Sequence, residues 1–202
     1  MRLLILCSLA TCAAYPSNVS PQTHTYKTVG GLEIKADVYL PTDSKIRPAI
    51  IWMHGGSLIS GSREDPTEVN RYIQAGIAVV SIDYRLAPET KLPDILQDVR
   101  DAYQWLRSKG PGLFRIDPDR IAMVGHSAGG YLALAGGFIL EPRPKAIVSF
   151  YGYGDVSGGW CTRAVPLAPG KKRVSREEAF ASVSPGRFRC RLPKRAISSR
   201  LT

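Results

Sequence analysis

The sequence predicts an α/β fold: a mostly parallel sheet with helices on both faces, entered by an antiparallel hairpin. Three observations carry this prediction. From Pro48 onward, short apolar runs without polar alternation recur, as expected of strands covered on both faces. The segments between them are long enough to form helices, which is the pattern of strand, crossover and parallel strand. Ahead of them lie two strand-like segments, the second alternating apolar and polar residues, joined by Gly30-Gly31, the signature of a two-residue hairpin turn.

In chain order, residues 23–29 and 32–40 form that hairpin, half-buried because Leu32, Ile34, Ala36, Val38 and Leu40 alternate with polar neighbours. Residues 48–53 (Pro-Ala-Ile-Ile-Trp-Met) read as a central strand running into His54-Gly55-Gly56-Ser57. Residues 65–75 are expected to be helical, with Pro66 in the first turn and Gly76 as the stop. A second buried strand follows at 77–84. Residues 94–109 give the clearest helix: Ile95, Val99, Ala102, Tyr103 and Leu106 share one face, Asp94 is placed to cap the start, and Gly110-Pro111 is expected to end it. Then come a strand at 120–124, a serine turn, a small-residue helix to about Leu140, and a strand at 146–151.

The chain has 202 residues, enough for one domain of ordinary size. Its expected organisation is a signal at 1–14, a linker at 15–22, the α/β domain at 23–160 and a basic, poorly ordered tail at 161–202. Residues 1–14 combine Arg2, an apolar run and a small-residue end, too short for the roughly 20 apolar residues of a membrane-spanning helix. Export to a secreted or periplasmic location is the expectation. Leu9-Ala10-Thr11-Cys12 offers a lipid anchor through Cys12 as the alternative, and a buried amino-terminal segment as another. The net charge of +10 is unevenly placed: residues 161–202 hold eleven Lys and Arg against two Asp and Glu, whereas the preceding 160 are nearly balanced. A basic tail whose only aromatics are Phe180 and Phe188 reads as a solvated charge run, with a polyanion-binding module as the alternative, so no specific nucleic-acid partner is expected. Cys161 and Cys190 make no disulfide framework, and no Cys-x-x-Cys or histidine cluster offers a metal site.

The chemistry centres on Gly125-His126-Ser127-Ala128-Gly129, a G-x-S-x-G turn between strand and helix. Glycines stand where a side chain would meet the neighbouring strand and helix, which holds the Ser127 hydroxyl clear of the sheet as a nucleophile. In open α/β sheets ligands bind beyond the carboxyl ends of the strands, so His54-Gly55-Gly56 and Ser127 are expected on one rim. There the amides of Gly55, Gly56 and Ala128 would form an oxyanion hole.

Together, His54-Gly55-Gly56, Asp83-Tyr84-Arg85-Leu86-Ala87-Pro88-Glu89 and Gly125-His126-Ser127-Ala128-Gly129-Gly130 resemble the α/β-hydrolase fold, in its carboxylesterase and lipase branch similar to hormone-sensitive lipase. The resemblance covers about residues 24–155. It implies hydrolysis of a small-molecule ester without a cofactor. One departure is Ser57, where the branch usually has a third glycine or a bulky residue. The larger one is that His24, His54 and His126 all precede or adjoin Ser127, whereas the fold's order is serine, acid, histidine. No base is found. Asp155 is a candidate acid, with a turn aspartate as the other reading. The resemblance also implies further strands, and their absence from the patternless end points to a truncated or frame-shifted terminus, with the strand at 146–151 as an exposed edge for self-association. A chain without a base is expected to hydrolyse esters slowly; the alternative is a non-catalytic remnant or binding protein of the same fold.

Overall fold

The structure, a computed structural model, describes residues 19–64, 66–156, 158–159, 170, 172, 174, 175, 177, 178 and 181. The signal and anchor expected near the amino terminus, all four cysteines, Asp65 and most of the basic tail lie outside the described residues.

Strand β1 (Gln22–Val29) and strand β2 (Leu32–Tyr39) pair antiparallel about Gly30 and Gly31, whose φ of 57° and 84° suit residues without a Cβ. Strand β3 (Arg47–Met53), helix α1 (Val69–Gln74), strand β4 (Ala78–Ile82), helix α2 (Leu92–Phe114), strand β5 (Ile116–His126), helix α3 (Ala128–Ile139) and strand β6 (Ala146–Phe150) follow. Sheet order is β1-β2-β4-β3-β5-β6. The β2–β4 pair is antiparallel; β4–β3, β3–β5 and β5–β6 are parallel. On one face, Ile95, Val99 and Leu106 of α2 and Leu132 and Ala133 of α3 close over Ile51, Met53, Val80, Ile82 and Met123. On the other, Ile73 of α1 joins Tyr39, Ile50, Trp52, Val79 and Val124. The fold is thus the mostly parallel α/β sheet with helices on both faces, and each fully buried branched side chain contributes about 1.5–3 kcal/mol to it.

Four expectations are corrected. Helix α2 does not stop at Gly110-Pro111 but runs to Phe114, ending at Arg115 with φ 54°. Pro111 costs about 3 kcal/mol inside a helix. Burial of Phe114 returns about 2–3 kcal/mol, and its ring contacts with His24 at 5.0 Å and Trp105 at 5.9 Å about 1 kcal/mol each. Gly110 provides clearance there, since a Cβ would stand 3.2 Å from Leu106 and 3.4 Å from Ile116. Asp94 lies in the first turn, and the residue flanking the start is Lys91. Helix α1 is shorter than expected because Glu68, at φ 61°, breaks any helical continuity with Pro66. The hairpin is not evenly half-buried: from Ala36 to Tyr39 both faces of β2 are buried, because β4 pairs with its inner edge.

Candidate active site

Between β5 and α3 the backbone turns at Ser127, with φ 53° and ψ −119°. The Ser127 N–H donates to the Phe150 carbonyl (2.9 Å), and its own carbonyl accepts from Tyr131 N–H (3.0 Å), so the residue is tied at once to β6 and to the first turn of α3. Glycine is sterically required on both sides. A Cβ on Gly129 would overlap the carbonyl oxygens of Met53 and His54, and one on Gly125 would overlap the Gly129 backbone. Helix α3 therefore starts in contact with the end of β3. The Ser127 side is partly open to solvent, whereas Ala128 is buried.

Strand register brings the second turn alongside. Met53 pairs with Gly125, so the chain leaves β3 as His54-Gly55-Gly56 next to His126-Ser127 leaving β5. Gly55 lies flat against the His126 ring, where a Cβ would be 2.9 Å from Nδ1. Gly56 has φ 102°, and its carbonyl accepts from Ile59 N–H (2.9 Å) and Ser60 N–H (3.0 Å), closing the turn. Ser57 and Leu58 continue it at φ 55° and 62°. A left-handed residue at 57 is where glycine carries no steric cost, which gives a physical meaning to the departure at Ser57.

All three histidines are occupied elsewhere. His54 is 4 % exposed and stacked on Tyr84, centroids 4.2 Å apart and planes 11° from parallel. Its Nδ1 is 2.7 Å from the Gly55 carbonyl, while Tyr84 Oη donates to the His54 carbonyl at 2.8 Å. These two contacts agree with a proton on Nδ1 donated to Gly55. Burial holds the imidazolium of His54 below its ordinary pKa and pushes the Tyr84 phenol well up, so both rings are neutral. His126 packs between Trp52 (5.9 Å) and Tyr151 (6.1 Å), and His24 against Trp105 and Phe114 beside α2. Among the described hydrogen bonds, none joins an imidazole to Ser127.

The segment carrying Tyr84 is itself held. Arg85 makes a two-pronged pair with Asp98 of α2 (2.7 and 2.8 Å), and Lys27 of β1 reaches the same carboxylate at 2.6 Å. Tyr26 Oη donates to the Asp83 carbonyl at 2.6 Å. Sequence reasoning singled out this segment but assigned Tyr84 no role, and it passed over Arg63, whose guanidinium faces Asp37 and Asp83. Asp155 is exposed, and, after burial, its charge raises the Tyr131 phenol above its ordinary pKa. Among the described residues no three metal-ligating side chains converge, and no helix is long and apolar enough to cross a membrane. An open groove of about 500 Å³ lined by Ile46, Pro111, Arg115, Ile116, Asp117 and Pro118 lies at the opposite, amino-terminal ends of β3 and β5.

The profile of the BD-FAE family matches residues 36–158, which takes in both turns and the segment between them. The non-reducing polyketide synthase Preu6 of Preussia isomera is 39 % identical over 152 residues, 68 % of this chain but 7 % of the synthase. A thermophilic esterase of the planctomycete Thermogutta terrifontis superposes with a TM-score of 0.54 at 30 % identity, covering 58 % of this chain and 44 % of the esterase. A hyperthermophilic esterase of the archaeon Pyrobaculum calidifontis gives 0.53 at 39 % identity, over 59 % and 38 % respectively. The chain thus spans less than half the length of these solved relatives.

Proposed function

The chain belongs to the BD-FAE family, a family of α/β-hydrolase-type esterases, and from that premise we propose that it is a serine hydrolase of carboxylic esters. The observation that carries the proposal is the backbone of Ser127, held at φ 53° and ψ −119° between two glycines with Gly55 and Gly56 one strand away. A non-glycine residue in that conformation costs about 1–3 kcal/mol, a cost that marks a site with a use for it.

In the proposed reaction the Ser127 hydroxyl attacks the ester carbonyl carbon, and the negative charge formed on the carbonyl oxygen is met by the N–H groups of Gly55, Gly56 and Ala128. Losing one such donor costs about 100- to 1000-fold in rate. With His24, His54 and His126 each held by other rings and carbonyls, the hydroxyl proton passes to solvent water. The intermediate then breaks its bond to the alkoxy oxygen, which leaves as the alcohol with a proton from water, and a water molecule hydrolyses the acyl-serine to the acid and free Ser127. Asp155 is the candidate acid in this reading. An oxyanion hole without a full triad still retains about 1000- to 10000-fold over water, so slow acylation is the expectation. That none of the three described imidazoles is hydrogen-bonded to Ser127 supports a second reading, a binding protein that keeps the fold and holds esters without turning them over.

The substrate is proposed to be a small ester with a short acyl group. The T. terrifontis enzyme has been solved with propionate bound, and it is phosphorylated by paraoxon. A fluorophosphonate is therefore expected to label Ser127, and a short-chain nitrophenyl ester to be hydrolysed in a manner abolished by Ser127→Ala. Absence of labelling on folded protein overturns the hydrolase reading; labelling without turnover favours the binding protein. Export through residues 1–14 is part of the proposal, checked by fractionating cells that express the chain.

A further inference from the structure

We propose that Arg63 is a positioning residue for the oxyanion turn: its guanidinium ties the loop after Gly56 to Asp37 on β2 and Asp83 beyond β4, and thereby sets the direction of the Gly55 and Gly56 amides. This rests on the esterase reading of the site. Arg63 Nη1 is 2.7 Å from Asp83 Oδ2 and Nε is 3.0 Å from Asp37 Oδ1, while the Arg63 main-chain N–H donates to Asp83 Oδ1 at 2.9 Å. Both carboxylates are buried, 4 % and 6 % exposed, and each is anchored in turn. Thr23 Oγ1 donates to Asp37 at 2.6 Å, and Asp83 N–H donates to the Lys35 carbonyl at 2.9 Å.

The link to the amides is short. Two residues before Arg63, Gly61 (φ 104°) lies against the His54 imidazole so closely that a Cβ would overlap Nδ1. That same Nδ1 contacts the Gly55 carbonyl. The turn is therefore held at its start by Tyr84 stacking on His54 and at its end by Arg63, and Gly55 and Gly56 lie between the two holds. A planar guanidinium presents donors to two carboxylates at once, whereas a lysine ammonium is a single point charge. Without the cation, two buried carboxylates lose the positive charge set between them, and the loop must shift to admit water.

The test uses the full chain with Arg63→Met and Arg63→Lys, reading the rate of Ser127 labelling against fluorophosphonate concentration together with amide hydrogen exchange. For Arg63→Met the limiting rate is expected to fall about 100-fold, the scale of a 1 Å misplacement of a reacting group, with the half-saturating concentration within about twofold. Arg63→Lys, able to satisfy one carboxylate, is expected to fall about tenfold. Exchange should quicken in peptides spanning 54–62 and stay at wild-type protection in β3, β5 and α2. A wild-type limiting rate in Arg63→Met overturns the proposal whatever the exchange shows. If Arg63→Met does not fold, Arg63→Lys carries both readouts, and wild-type values there overturn it. If the wild-type chain does not react at all, the esterase reading falls by itself, and exchange across 54–62 in the variants alone decides whether Arg63 holds the turn.

Discussion

Ser127 concentrates the conflict between folding and chemistry in one residue. Its backbone conformation suits glycine, yet the proposed reaction needs its hydroxyl. Replacing it by glycine should relieve about 1–3 kcal/mol of backbone strain and cost about 0.5–1 kcal/mol of chain entropy. Ser127→Gly is therefore expected to be about 1 kcal/mol more stable than wild type in denaturant titration while losing all fluorophosphonate labelling. A less stable variant would show that the elbow is not strained. Gly125 and Gly129 do not share this ambivalence, because the atoms a Cβ would strike are backbone and have nowhere to go. The G-x-S-x-G pattern was readable in the sequence for that reason: its constraints are steric and local. Arg63 was not readable, since its partners lie 26 residues before and 20 residues after it and meet it only in the folded sheet.

At the scale of elements, β2 and α2 decide how firmly the site is supported. Asp98, fully buried on α2, receives Lys27 from β1, and both the main chain and side chain of Arg85. Neutralising it takes the buried carboxylate away from Arg85, whereas Lys27 keeps Asp101 at 2.6 Å. Asp98→Asn is expected to cost about 3–5 kcal/mol, measured by chemical unfolding, because a broken buried pair is worse than none. The helical face of α2 was legible from its spacing of apolar residues, but its end was not. Gly110-Pro111 is a stop signal in isolation, and the chain ignores it because Phe114 finds a buried place between β1 and α2. The alternation in β2 likewise predicted one buried face; the second is buried because β4 pairs with β2, a choice made between segments about 40 residues apart.

For the whole molecule, the buried ring pair at the rim couples stability to acidity. Burial keeps His54 neutral in the folded chain, whereas in the unfolded chain it takes up a proton near pH 6.5. The unfolded state thus binds more protons below that pH. His54's contribution to stability is complete above about pH 6.5 and declines as pH falls, by at most about 1.4 kcal/mol per pH unit for one group. Urea titrations between pH 5 and 8 should show a slope that His54→Gln reduces; an unchanged slope would mean that His54 is protonated in the fold. By itself the sequence determined the kinds of element, the alternation of strand and helix, and the shape of the two glycine turns, because these follow from side-chain periodicity and from clashes within a few residues. The folded sheet alone decided that the turns adjoin, since that requires β3 to lie between β4 and β5 with Met53 opposite Gly125. It also decided which buried charges pair and which histidines are spent on packing, because burial and contact between distant segments have no local signature in the chain.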